Sequence, residues 1–193
     1  MAADGVATEA RARQQPSMLA VGTVVWLASE LMFFGGLFAA YFTLKAEARQ
    51  WPPPGVELET LLSGIFTVFL IASSGTMVLA VRSLERGDRA NMIRWLLLTL
   101  GLGVLFLANQ IREFYSLDFQ ISSNSYGSIY YLMTGFHALH VAAGLLLMLI
   151  ALAIATGPGP VARRAPVVDS IGYYWHFVDV VWIGLFATIF VIR

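Results

Sequence analysis

Glu30, His137, His140, His176 and Asp179 are ionisable residues set inside long apolar stretches of a 193-residue chain. An ionisable group at such a position is expensive to bury and defaults to a functional role. Two chemistries fit Glu30: a carboxylate that exchanges protons, or a neutral acid hydrogen-bonded to a neighbouring helix. His137 and His140, three residues apart, share one helical face, as do His176 and Asp179. Neutral imidazole ligates metals well, so His137 and His140 raise metal or haem binding. With three histidines and no cysteine in the chain, two bis-histidine haems are impossible. One haem between His137 or His140 and His176 is the most the count allows, and no set of donors completes a metal site. Packing by hydrogen bonds is the simpler role for these histidines. For His176 and Asp179 that means an intrahelical bond, with orientation of a metal ligand as the alternative. Gln110, Arg112 and Glu113 cluster at the end of another apolar run, where Arg112 can reach the interface without a buried partner.

These residues must be positioned by helices in a bilayer. Of the residues, 58% are hydrophobic and 12% charged, about half the charged share of a soluble domain. The apolar residues fall in five runs, at about 18–44, 61–81, 93–114, 126–156 and 171–192, each near the roughly 20 residues that span a bilayer. The expected fold is therefore all-α, a polytopic bundle of five transmembrane helices over 18–193, preceded by a polar tail, 1–17, that does not read as a signal peptide. Trp51-Pro52-Pro53-Pro54-Gly55, a charged turn from Arg82 to Arg89, the polar segment 118–125 and Gly157-Pro158-Gly159-Pro160 separate the runs. A rise of about 1.5 Å per residue puts Glu30 near the bilayer midplane, His137 and His140 at similar depth, and His176 and Asp179 nearer one end.

Lys and Arg distribute unevenly about the runs. Arg11, Arg13, Arg82, Arg86, Arg89, Arg94, Arg163 and Arg164 fall on one side, against Lys45, Arg49, Arg112 and Arg193 on the other. The bias places the N-terminus in the cytoplasm and the C-terminus outside. Close helix contacts are expected at Gly35-Gly36, Ser73-Ser74-Gly75, Gly101-x-Gly103 and Ala142-Ala143-Gly144. Trp26, Trp51, Trp95, Tyr130, Tyr131, Tyr173, Tyr174 and Trp175 are expected to form an interfacial belt, and Met32-Phe33-Phe34 to face lipid or the core. Zero formal net charge argues against a nucleic-acid partner. No phosphate-binding loop or nucleophile–base set is present, and the absence of an internal repeat argues against the usual secondary-transporter architecture.

Several segments, in order, resemble the cytochrome c oxidase subunit III family. Ala28-Ser29-Glu30-Leu31-Met32-Phe33-Phe34-Gly35-Gly36 is similar to its Ser-Glu-x-x-Phe-Phe signature. The turn Ser83 to Arg89 resembles the turn joining the family's next two helices, and Leu100-Gly101 through Gln110 to Glu113-Phe114-Tyr115 is similar to the second of those helices. Thr134-Gly135-Phe136-His137-Ala138-Leu139-His140-Val141 matches the family's Thr-Gly-Phe-His-Gly-Leu-His-Val except at Ala138. Tyr174-Trp175-His176-Phe177-Val178-Asp179-Val180-Val181-Trp182 matches its last helix throughout. The usual member has seven helices and this chain lacks the first two, so lipid ligands carried by those helices do not transfer. Leu61-Leu62-Ser63-Gly64 replaces the usual Leu-Pro-Leu-Leu-Asn-Thr, and Val81 and Arg82 stand where histidines are common.

The resemblance implies a non-catalytic subunit of an aerobic haem-copper terminal oxidase in a bacterial cell membrane. Such a subunit stabilises subunit I, holds lipids and supports proton uptake during oxygen reduction and proton pumping. It implies no metal or cofactor in this chain, with haem a and copper in subunits I and II, and bound phospholipid. Implied partners are subunits I and II, small accessory subunits and, for short five-helix forms, a supercomplex with cytochrome bc1. Glu30 would be the family's buried carboxylate, with His137 or His140 as its partner. The matching subunit of a quinol oxidase is the alternative. Outside the family, a proton-coupled transporter using Glu30 and Asp179, or a b-type cytochrome, would leave the matching segments without explanation.

Overall fold

The structure, a computed structural model, describes residues 18–157 and 165–192. The tail 1–17, most of the Gly-Pro break with Arg163 and Arg164, and Arg193 lie outside the described residues. The described residues form five long helices and no strand: α1 Met18–Glu47, α2 Thr60–Glu85, α3 Arg89–Ser116, α4 Ser125–Thr156 and α5 Ala165–Phe186. A π-helical turn, Ala187–Val191, extends α5. All five are long and apolar enough to cross a bilayer.

The helices outrun the apolar runs at most ends. α2 continues through Arg82 to Glu85, so the charged turn shrinks to Arg86-Gly87-Asp88, and α5 begins at Ala165 rather than near 171. Long side chains that leave the hydrocarbon on a helix need no turn to do so. The short turn both ends α2 and starts α3. Gly87 sits at φ +71°, its N–H donates to Leu84 O at 2.9 Å, and the Asp88 N–H donates to Ser83 O at 2.9 Å. This pair of bonds is the Schellman arrangement, which favours glycine at the left-handed position. Asp88 then caps α3, accepting from the Asn91 N–H at 3.1 Å. The Asn91 backbone and side-chain amides hold its carboxyl below the usual aspartate range. Asn124 caps α4 in the same way, accepting from the Gly127 N–H at 2.8 Å.

α5 is the centre of the bundle, packed against α1, α2 and α4, while α2 also packs on α3 and α3 on α4. Over half of its apolar stretch is buried, whereas that of α1 is almost wholly exposed, α1 resting on α4 and α5 alone among its principal contacts. The outward faces remain apolar, as at Met32, Leu61 and Leu139, and suit hydrocarbon as solvent. Cross-links fix which ends lie together. Arg89 Nη2 donates to Gly157 O at 2.8 Å, and Arg112 pairs with Glu59 at 2.5 Å. Lys45 Nζ donates to Ile192 O at 2.7 Å, beside a Tyr41 hydroxyl that donates to Thr188 O. The last two satisfy carbonyls around the π-helical turn.

Two expectations fail in part. Trp175, Tyr130 and Tyr174 are buried in the core, not spread in a belt; Tyr173 and Trp26 stay exposed. Trp175 and Trp182 donate from Nε1 to Ser73 Oγ and Thr67 Oγ1 of α2, both at 2.9 Å. Indoles so satisfied can be buried whole. Among the small-residue clusters, Gly103 and Gly144 do permit close approach: a Cβ at either would stand 2.8 Å from the Trp175 ring. Gly35, Gly36, Gly75 and Gly101 face open space, with nothing within 4 Å of a Cβ.

Candidate functional site

Three polar clusters lie between helices. The first joins α1, α4 and α5. His140 Nδ1 lies 2.7 Å from Phe136 O, one turn earlier, and its Nε2 lies 3.2 Å from Glu30 Oε2. A carbonyl only accepts, so Nδ1 carries a hydrogen. Nε2 then either accepts from a protonated Glu30 or, as an imidazolium, donates to its carboxylate. One shared proton keeps the pair neutral overall in both forms. Phe34 packs edge-on against the His140 ring at 5.1 Å, while Met32 points outward. The Tyr174 hydroxyl donates to His140 O at 2.8 Å, and its ring stacks on Trp26.

His137, on the same α4 face in the sequence, has different surroundings. It is fully buried, stacked on Trp182 at 4.8 Å and edge-on to Phe106. Neither ring nitrogen has a hydrogen-bond partner among the described residues. Of the two candidate partners for Glu30, the structure brings only His140 to it.

The second cluster joins α2 and α5. The expected direct bond between His176 and Asp179 is replaced by a bridge through Ser74. The Ser74 hydroxyl lies 2.9 Å from His176 Nδ1 and bonds Asp179 Oδ2. The i, i+3 spacing does put both side chains on one face. That face meets α2, whose hydroxyl fits between them. Asp179 Oδ1 is buried without a partner among the described residues.

The third cluster lies near the other end of α3. Glu113 is 1% exposed and accepts from Ser63 Oγ at 3.1 Å and the Tyr130 hydroxyl at 3.2 Å. Arg112, next along the helix, points away to its exposed partner Glu59. Gln110 is buried beside them. Ser63, Thr67, Ser74 and Tyr130 were not among the expected site residues. Their one signal in the sequence is a hydroxyl within an apolar run, and that signal does not say which residue it will meet.

No group of three or more His, Asp or Glu side chains placed to hold a metal ion occurs among the described residues. The arrangement is one of hydrogen-bonded pairs at helix interfaces, able to hold protons and fix helix positions.

The profile of the family described as cytochrome c oxidase subunit III matches residues 4–192. The chain belongs to that family. A probable cytochrome c oxidase subunit 3 of Nocardia farcinica is 45% identical over 183 residues, 93% of this chain and 90% of its own length. One from Mycobacterium leprae is 47% identical over 182 residues, with the same shares covered. The cytochrome c oxidase subunit 3 of Synechocystis is 38% identical over 179 residues, 92% of this chain and 77% of its own length. A member of the subunit III family with five spanning-capable helices is a multi-pass membrane protein and a partner of the oxidase core subunits.

Proposed function

We propose that this chain is the accessory third subunit of a bacterial cytochrome c oxidase, set in the cell membrane with its N-terminus in the cytoplasm. It stabilises subunit I, holds phospholipid against its apolar faces and supports proton uptake while subunits I and II, carrying haem a and copper, reduce oxygen. The observation that carries this reading is the family match across residues 4–192. The polar clusters support it: each joins two or three helices, so each serves cohesion of the bundle. Glu30 with His140 is the pair of greatest functional interest, because it joins a carboxyl group and an imidazole across two apolar helices.

Gentle detergent capture of the tagged chain from native membranes, with a reduced-minus-oxidised spectrum of the eluate, tests the assignment. A haem a spectrum with larger subunits co-eluting is the expected result, and haem c and b bands would add cytochrome bc1 to the assembly. A colourless chain eluting alone would overturn it. Turnover with cytochrome c but not with quinol separates the two oxidase classes.

A further inference from the structure

Below the Ser74 bridge a cavity of about 300 Å³ opens between α2 and α5. Arg82 and Glu85 of α2 and Asp169, Tyr173 and His176 of α5 line it. It has room for several waters, each about 30 Å³ in the liquid. Arg82, Glu85 and Asp169 form no ion pair among the described residues, so the cavity holds charged groups not committed to one another. His176 forms the inner wall, and its Nδ1 is the ring nitrogen turned to Ser74. Beyond Ser74 lies Asp179, 4% exposed, with Oδ1 unpartnered. Asp169 and Asp179 are ten residues apart on one helix, about 15 Å by helical rise.

The geometry points to Asp179 as a buried proton-exchange site, reached from the cavity through His176 and the Ser74 hydroxyl. In the resting arrangement Ser74 donates to Asp179 Oδ2, and His176 Nδ1–H donates to Ser74 Oγ. A proton arriving at His176 Nε2 from the cavity makes the ring an imidazolium. Its Nδ1 proton passes to Ser74 Oγ as the Ser74 proton passes to Asp179 Oδ2. One proton has entered and one carboxylate has been neutralised, and the ring is left neutral with its hydrogen on Nε2. Reversal along the same path returns the proton to the cavity and restores the resting arrangement, whereas tautomer exchange through water resets the ring alone and leaves Asp179 protonated. Among the described residues, the titratable and charged groups around this path are few. α2 supplies Arg82 and Glu85, and α5 supplies Asp169 and Tyr173. On α1 and α4, Glu30 and His140 are paired with each other, and His137 lies against Trp182.

The test is deuterium exchange in the intact captured complex, followed by infrared difference spectra on acidification in H2O and D2O. The wild type should develop a protonated-carboxyl band that Asp179→Asn lacks and that shifts promptly in D2O. Ser74→Ala and His176→Phe should keep the band but slow its deuteration about tenfold or more. Spectra of Asp179→Asn identical to wild type would overturn the proposal, as would wild-type exchange in Ser74→Ala or His176→Phe. If Asp179→Asn fails to assemble, the other two variants decide: a band slowed in both supports the relay, and wild-type exchange in either overturns it. The haem spectrum of the captured complex tests the subunit assignment and the deuteration contrast tests the relay, so either can fail alone.

Discussion

His140 Nδ1 donates to Phe136 O, which leaves Nε2 to face Glu30 Oε2 at 3.2 Å. An amide at position 30 still offers Nε2 a donor, so Glu30→Gln should leave assembly and initial turnover nearly intact. A Lys there brings an unpaired cation near the midplane at about 3 kcal/mol. Glu30→Lys should therefore lower the yield of assembled complex and its thermal midpoint in detergent. Equal tolerance of both changes would show that the position meets water or a polar group besides His140. The existence of these ionisable residues was legible in the sequence, because each interrupts an apolar run. Their partners were not. Helical spacing treats His137 and His140 alike, yet one reaches Glu30 and the other is sealed between Trp182 and Phe106. That difference is set by the rotation of α4 against α1 and α5, which no local pattern records.

Trp175 shows how the helices are locked. Its ring fills a slot that exists because Gly103 of α3 and Gly144 of α4 lack side chains, and its Nε1–H is held by Ser73 of α2. A single aromatic on α5 thus touches three other helices. Gly144→Ala pushes a methyl to 2.8 Å from that ring and should cost about 1–3 kcal/mol, as overpacking does. Gly101→Ala, facing open space, should stay within about 0.5 kcal/mol. Detergent unfolding of the two variants side by side checks this, and equal losses would mean that the slot has room to relax. Small residues in sequence mark where helices can approach. They do not mark where they do, since Gly101 and Gly103 differ only by about 200° around the same helix. The five elements themselves were readable from run length alone. Their ends were not, because Arg82 and Glu85 continue a helix that their charge suggests should stop.

The whole chain contains no cysteine, so single introduced thiols report sidedness without background. Arg86→Cys, in the turn between α2 and α3, should react with an impermeant maleimide from the cytoplasmic face. Ser122→Cys, between α3 and α4, should react from the opposite face. The reverse pattern would invert the orientation while leaving the fold as it is. The connections Arg89–Gly157 and Arg112–Glu59 require that these two turns lie at opposite ends of the bundle, so one labelled side predicts the other.

The bonds that hold α1 reach far along the chain: Glu30 to His140, Tyr41 to Thr188 and Lys45 to Ile192. During translation α1 leaves the ribosome before the helices it packs against, yet its anchors form only when α4 and the end of α5 have followed. At roughly 5–20 residues per second, the 110 residues between Glu30 and His140 keep it waiting about 5–20 seconds. Throughout that interval its carboxyl group stands in the bilayer without its histidine. A helix inserted before its partners is fastened only when they arrive, so nascent chains truncated before α4 would carry α1 as a loose passenger, open to quality-control proteases.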